Sequence, residues 1–258
     1  MTAHMDRDIS DLLGDIEALP ADWHGVGSAG PNALRAIARH ARRMGRVANS
    51  LETGSGKTTL LFSHLSENHL TFAIDEGNSI SQVKKSPLFN PHNVTFVEGL
   101  TQVTLPKYKF EHKAQIALID GPHGYPFPDI EYFYLYPLIE SGGLLLVDDI
   151  KIPTIRRMFE IIKVDDMFEL LEIVDDNMAF FQRTDAPCVS LTSDSWWRQG
   201  YNREYWEQYL NPPLPSPSYL RLLKAHQILS RLTPVSIKKL LPRSIKKRIW
   251  RTLGISSD

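Results

Sequence analysis

The sequence predicts an α/β fold: a doubly wound, mostly parallel sheet with helices on both faces. Three observations carry the prediction. Short continuous apolar runs, among them "LTFAID", "NVTFVEG", "AQIALIDG" and "GLLLVDD", alternate with segments of helical spacing. That is the pattern of strands covered on both sides by crossover helices. Two further apolar runs flank Asp175-Asp176-Asn177 in "FELLEIVDDNMAFFQR", a hairpin signal that adds an antiparallel edge. A chain of 258 residues is long enough for one such domain with a substantial core and appendages.

The elements follow in order. Residues 6–18 place Ile9, Leu12, Leu13 and Ile16 on one helical face. "GVGSAGPN" breaks the chain. "NALRAIARHARRMG" is a second helix that starts near Pro31 or Asn32, stops at Gly45 and carries a basic outer face. "RVANSLET" is the first strand and runs into a glycine turn, and "KTTLLFSHLSE" is the helix after it. "LTFAID" is the second strand, "SISQVKKSPLF" a short helix, "NVTFVEG" the third strand and "AQIALIDG" the fourth. "PDIEYFYLYPLIES" reads as an aromatic-rich helix closed by Gly142-Gly143; the strand "GLLLVDD" and the helix "TIRRMFEIIK" come next. Past Thr184 the pattern dissolves, and "NPPLPSPSY" continues neither a helix nor a central strand. The expected organisation is a helical segment over 1–45, an α/β domain over 46–185, an aromatic and proline-rich linker over 186–219 and a basic amphipathic tail over 220–258.

Composition narrows the function. Apolar residues make up 42 % and charged residues 23 %, with a net charge of −1, so the chain as a whole carries no nucleic-acid signature. The single cysteine, Cys188, excludes an internal disulfide framework and suits a reducing compartment. The first twenty residues carry acids and no long apolar run, so no secretory leader is expected. No stretch approaches the roughly 18–20 apolar residues of a spanning helix. A cytoplasmic location is expected. The even charge hides an asymmetry: between Arg221 and Arg251 stand ten basic residues and no acid. Such a segment suits peripheral contact with an anionic membrane; packing of its apolar face on the body is the plainer expectation.

The turn "SLETGSGKTT" at 50–59 imitates a phosphate-binding P-loop. A Walker A loop needs a glycine five residues before Gly56, and that position is Leu51, inside the apolar run. The loop is too short to encircle a β-phosphate. A P-loop ATPase or kinase stays as an alternative because "LLLVDD" imitates a Walker B strand. A nucleoside ligand fits better. Glu52 ends the first strand, Gly54 and Gly56 let backbone approach a ligand, and Asp75 ends the next strand about twenty residues on. A carboxylate there accepts hydroxyls of a ribose diol and would repel phosphates. Lys57 is then placed to meet a ligand carboxylate.

Taken together, residues 47–183 resemble the class I S-adenosylmethionine-dependent methyltransferases. "LETGSGKTT" is similar to that family's first motif and "FAIDE" to its second. "IALIDGPHGYPFPDIEYFYLYPLIESGGLLLVDDI" resembles a subgroup of metal-dependent sugar O-methyltransferases. The resemblance implies strand order 3-2-1-4-5-7-6 and S-adenosylmethionine as cofactor. It places Glu52, Thr53, Gly54, Ser55 and Gly56 at the methionine end and Asp75 with Glu76 at the ribose. "VEGL" approaches the adenine, with Gly99 giving backbone room, and Asp120 also faces the cofactor.

Asp120 ends the fourth strand and Asp148-Asp149 the fifth. Adjacent strands lie about 5 Å apart, so three carboxylates converge if these strands are neighbours. Such a cluster is costly unless protonated or bridged by a cation, and its oxygens suit Mg²⁺. In the subgroup resembled, a histidine follows the first Asp by three residues; His123 stands at that spacing, the candidate general base. The expected activity is O-methylation of a sugar or other hydroxylated small molecule, with a cation at Asp120, Asp148 and Asp149. A hydroxylase-type relative and a non-catalytic, membrane-associated accessory protein are further alternatives. Among the aromatics, Phe133 and Tyr136 are expected in the core and Tyr125 and Phe127 at a pocket rim. Trp196, Trp197, Tyr201 and Trp206 are candidates for stacking on a sugar.

Overall fold

The computed structural model describes residues 8–20, 22–23, 27–189 and 199–210, with side chains to 205 in the last stretch. The expected linker after 210, the basic tail, Trp196, Trp197 and the side chain of Trp206 lie outside the described residues. The chain divides into two units, Met1–Glu204 and Tyr205–Asp258.

Two helices open the chain, α1 (Ile9–Glu17) and α2 (Pro31–Met44). β1 (Val47–Thr53), α3 (Lys57–Leu65), β2 (Ser66–Ala73), α4 (Ser79–Lys85), β3 (Val94–Glu98), α5 (Thr101–Thr104) and β4 (Ala114–Ile119) follow. Then come α6 (Phe127–Leu135), β5 (Ile139–Val147), α7 (Pro153–Lys163), the hairpin β6 (Phe168–Val174) and β7 (Met178–Arg183), and α8 (Gly200–Leu210). The seven strands form one sheet in the order β3-β2-β1-β4-β5-β7-β6. β1 through β5 pair in parallel, and β7 runs antiparallel to both β5 and β6. The doubly wound fold and its strand order are as expected.

The alternation of strand side chains explains why the runs are continuous in apolar character. Ile116, Leu118, Leu144 and Leu146 point into a core shared with α1, α2 and α3. Ala117, Ile119, Leu145 and Val147 point into the opposite core, with α6 and α7. A strand packed on both faces has no polar side to present. On α1, Leu12 and Ile16 are fully buried, with Ile9 and Leu13 packed against the same core.

Two boundaries differ from the sequence expectation. Ser66 and Glu67 are the start of β2 rather than the end of α3, because Val47–Asn49 of β1 pair with Ser66–Asn68. The glycine pair 142–143 does not cap α6. That helix stops at Leu135, and Pro137 sits in a 3₁₀ turn over Tyr136–Leu138 that leads directly into β5. The glycines form a bulge in β5: Ala114 pairs with Ile139, but Ile116 pairs with Leu144. Gly142 has φ +78°, and a Cβ at Gly143 would lie 2.9 Å from the Glu140 carbonyl oxygen. Only glycine relieves that crowding.

Candidate active site

The carboxyl ends of β1, β2, β4 and β5 open on a crevice of about 590 Å³. Its walls include Gly54, Ser55, Ile74, Glu76, Gly99, Leu100, Asp120, His123, Asp148, Asp149 and Asn177, with Gly27 and Ser28 from the stretch before α2. This is the position where open α/β sheets bind ligands.

β1 delivers the glycine turn. The Gly54 N–H donates to the Phe72 carbonyl at 3.0 Å. Gly54 has φ +87°, and a Cβ there would sit 2.2 Å from the Asp120 carbonyl oxygen. The turn therefore packs directly on the end of β4, a contact that no side chain permits. Gly99 is the second forced glycine: φ is +144° and a Cβ would meet Thr104 at 2.8 Å.

Glu52 is not a crevice residue. It is fully buried, and its carboxylate accepts from Thr58 Oγ1 at 2.9 Å, from Thr71 Oγ1 at 3.0 Å and from Thr59 Oγ1. His69 Nε2 lies 3.0 Å away. The paired threonines of α3, polar where an apolar helix start would serve as well, are thus explained by the acid they satisfy. Thr53 and Gly56 are buried too and stand behind the crevice wall, whereas Ser55 lines it. Lys57 turns away: Nζ donates to the Leu19 carbonyl at 3.1 Å and the side chain is buried. It meets no ligand carboxylate or phosphate from there, and the P-loop alternative finds no support.

Asp75 follows β2, where expected, but its carboxylate accepts from Ser81 N at 3.0 Å and from Ser81 Oγ. Those bonds hold it below the usual carboxylate range. Its neighbours Ile74 and Glu76 line the crevice instead.

The acids of β4 and β5 do converge. His123 Nε2 lies 3.1 Å from Asp149 Oδ2 and 3.9 Å from Asp120 Oδ1. One ligand atom from each of Asp120, His123 and Asp149 falls within 4.8 Å of the others, so the group that could hold a cation includes the histidine. Asp148 takes another role: Oδ1 accepts from the Asp149 N–H at 2.8 Å and from Asn177 Nδ2 at 2.9 Å. Asn177 Nδ2 also reaches Asp149 Oδ1 at 3.0 Å. Asp149 itself adopts φ +56°, a left-handed conformation that Asp tolerates better than most residues; this aims its carboxylate at His123.

The electrostatics follow from the geometry. Asp120 is desolvated in the crevice although a quarter of its side chain stays accessible. Burial pushes it up to about 6, against the His123 hydrogen bond that pulls it down. Burial and the Asp120 charge push Asp148 up to about 8. Asp120 and Asp149 together hold the His123 proton and raise it to about 10, while Asp149 is lowered by the same contact. At neutral pH, His123 is a cation between two carboxylates.

Asn177 was legible only as a turn residue. The hairpin register could have flagged it: Ala179 pairs with Val147, which puts Asn177 beside Asp149. Tyr136 is in the core as expected, but Phe133 is 36 % exposed. With the exposed Tyr125, it lines a separate hollow of about 500 Å³ beside Asp129 and Arg157, which none of Asp120, Asp148 and Asp149 lines.

Sheet order and crevice together define a Rossmann-like methyltransferase fold. Residues 51–150 match the family model described as a methyltransferase domain. No curated protein matches the sequence. Solved structures share the fold. A proposed caffeoyl-CoA O-methyltransferase of Staphylococcus aureus is 17 % identical with TM-score 0.55, covering 69 % of this chain and 92 % of that one. TomG, the Streptomyces achromogenes O-methyltransferase of tomaymycin synthesis, solved with S-adenosylmethionine, is 15 % identical with TM-score 0.52, covering 67 % and 90 %. A proposed O-methyltransferase of Klebsiella pneumoniae is 13 % identical with TM-score 0.50, covering 68 % and 89 %. Among the described residues no helix is long and apolar enough to cross a membrane.

Proposed function

We propose that this chain transfers a methyl group from S-adenosylmethionine to a hydroxyl of a small acceptor, a sugar or similarly hydroxylated metabolite. A divalent cation such as Mg²⁺ assists from the strand-end acids. The observation that carries the proposal is the convergence of Asp120, His123 and Asp149 within 4.8 Å beside the glycine turn. The methyltransferase domain over 51–150 and the bound S-adenosylmethionine of TomG support the choice of cofactor.

The residues present fit both groups. Gly54 and Gly99 leave bare backbone on the crevice wall. Ile74 and Leu100, 38 % and 45 % exposed, offer apolar faces of the kind a purine needs, and Glu76 and Asp75 lie close by as acceptors for a ribose. The carboxylate oxygens of Asp120 and Asp149 suit a hard divalent ion with open positions. Such an ion lowers the pKa of a coordinated hydroxyl.

Within this proposal Asp120 and Asp149 hold the cation. With a cation there, the two carboxylates would no longer hold the proton of His123, and the imidazole would be the group to take the acceptor's proton. Asp148 and Asn177 keep Asp149 oriented. The methyl group arrives already activated, so the chain contributes chiefly positioning. The basic tail adds reversible contact with an anionic membrane; loss of pelleting with acidic liposomes on deleting 220–258 tests that part.

Titration calorimetry with S-adenosylhomocysteine tests the cofactor. Saturable binding is expected, and absence of binding at millimolar ligand refutes it. Methyl transfer to hydroxylated acceptors with and without a chelator tests the cation: turnover unchanged by the chelator removes the metal from the account.

A further inference from the structure

Behind the crevice lies a carboxylate that the chemistry above does not use. Glu131 of α6 has no exposed surface. Thr53 Oγ1 donates to its Oε2 at 2.8 Å. The same hydroxyl oxygen accepts from the Asp120 N–H at 3.0 Å. The bonds thus run in one direction, from the Asp120 backbone to Thr53 and from Thr53 to Glu131. Oε1 makes no hydrogen bond and is packed flat on Gly121, where a Cβ would lie 1.9 Å from it. The Thr101 hydroxyl and the Gly121 N–H face the carboxyl as well. Glu131 therefore touches the end of β1, the start of α5 and the turn after β4. Gly54, Thr101, Asp120 and Gly121, which line the crevice, belong to those same three segments.

We infer that Glu131 is a positioning residue: through Thr53 it sets the Asp120 backbone against the Gly54 turn, and so fixes the spacing between the cofactor wall and the strand-end acids. This inference rests on the proposed cofactor. The geometry is unusual for a purely structural acid. A carboxyl taken fully out of water is costly to bury, and an apolar side chain of the same volume would fill the space under α6 without that cost. What an apolar side chain cannot do is accept from Thr53, and without that acceptor the hydroxyl is free to rotate away from the orientation that receives the Asp120 N–H.

Glu131→Met and Glu131→Gln separate positioning from packing. The methionine variant is expected to fold with a melting temperature somewhat below that of the parent, because the buried Thr53 hydroxyl loses its acceptor, and its folded form to bind S-adenosylhomocysteine about tenfold to a hundredfold more weakly, the cost of a misplaced wall. The glutamine variant, whose amide oxygen still accepts from Thr53, is expected to recover affinity to within about threefold. Thr53→Val breaks the same relay from its other side. The double variant Thr53→Val with Glu131→Met is expected to bind no more weakly than the poorer single variant, because both remove one chain of bonds. If the parent binds S-adenosylhomocysteine and Glu131→Met binds it equally well, or the two substitutions add, the inference is overturned while the cofactor stands. If the parent itself does not bind, both fall. If Glu131→Met fails to fold, the comparison of Thr53→Val with Thr53→Ser decides: equal affinities refute the relay.

Discussion

Glu52 and Asp120 stand at the carboxyl ends of adjacent strands and carry the same functional group, yet they do opposite things. Glu52 pairs with Leu118 across the β1–β4 ladder, so Asp120 lies two residues further toward the open end. Those two residues decide the environment. Below the rim, Glu52 is surrounded by hydroxyls of Thr58, Thr59 and Thr71, with His69 beside it, and its lone pairs are spent holding α3 to the sheet. At the rim, the Asp120 carboxylate has no such hydroxyls: it faces His123 and Asp149 and keeps capacity for a ligand. A strand-end acid is a brace or a reactive group according to whether the fold satisfies it before a ligand arrives.

The sharpest way to break this contrast is to neutralise each acid in turn. Asp120→Asn should leave the melting temperature within a few degrees and lower methyl transfer about a thousandfold, the scale of a lost metal ligand and charge; steady-state turnover at saturating cofactor measures it. Glu52→Leu should do the reverse in kind. It strands three hydroxyls in the interior, a loss on the order of 3 kcal/mol or more of stability, read by denaturant unfolding. If Glu52→Leu kept its stability and lost only turnover, the division between brace and reactive group would be wrong.

The contrast also marks how far the sequence could be read. Strand and helix alternation, the hairpin at Asp175–Asn177 and the glycine turn were legible because each is a local pattern with one physical meaning. The convergence of Asp120 with Asp149 was legible only on condition that β4 and β5 are neighbours, which the structure shows. Glu52 and Lys57 were not. Their neighbours, Thr71 on β2 and the Leu19 carbonyl after α1, are brought in by register and by the packing of the N-terminal helices, which no short window contains. The glycine pair 142–143 misled for a similar reason: a glycine that ends a helix and one that forms a bulge look alike until the partner strand is known. Glu131 lay hidden among the aromatics of α6, with its partners at 53, 101 and 121 on three other segments.

His123 offers a finer test of the rim. Its raised value comes from Asp120 first and Asp149 next. The sign is that of a cation gaining partners on folding: the stabilisation is fully present below pH 6.5, its ordinary value, and is lost as pH rises through about 10. Histidine NMR in the absence of divalent ions should therefore show this ring protonated through neutral pH. Asp149→Asn should move its midpoint downward, and saturating Mg²⁺ should do the same in the parent by drawing the two carboxylates away. A midpoint near 6.5 in the metal-free parent would remove the ion-pair picture and restore His123 as a base that needs no cation.

Asp75 falls between the two cases and carries the smallest expected effect. It sits past the end of β2 with an open side to solvent, like Asp120, but its oxygens are already engaged by Ser81, like those of Glu52. If it grips the ribose of the cofactor, the ligand competes with the Ser81 hydroxyl for one oxygen while the Ser81 N–H keeps the other. Ser81→Ala removes the hydroxyl and spares the amide, so S-adenosylhomocysteine should bind as well as to the parent or a few-fold tighter. Asp75→Ala should weaken it about tenfold, the scale of hydrogen bonds to a charged acceptor. Glu76, which already lines the crevice, is the control. Should Glu76→Ala cost more affinity than Asp75→Ala, the ribose is held by the acid that faces the crevice at rest, and Asp75 joins Glu52 as a brace, holding the start of α4.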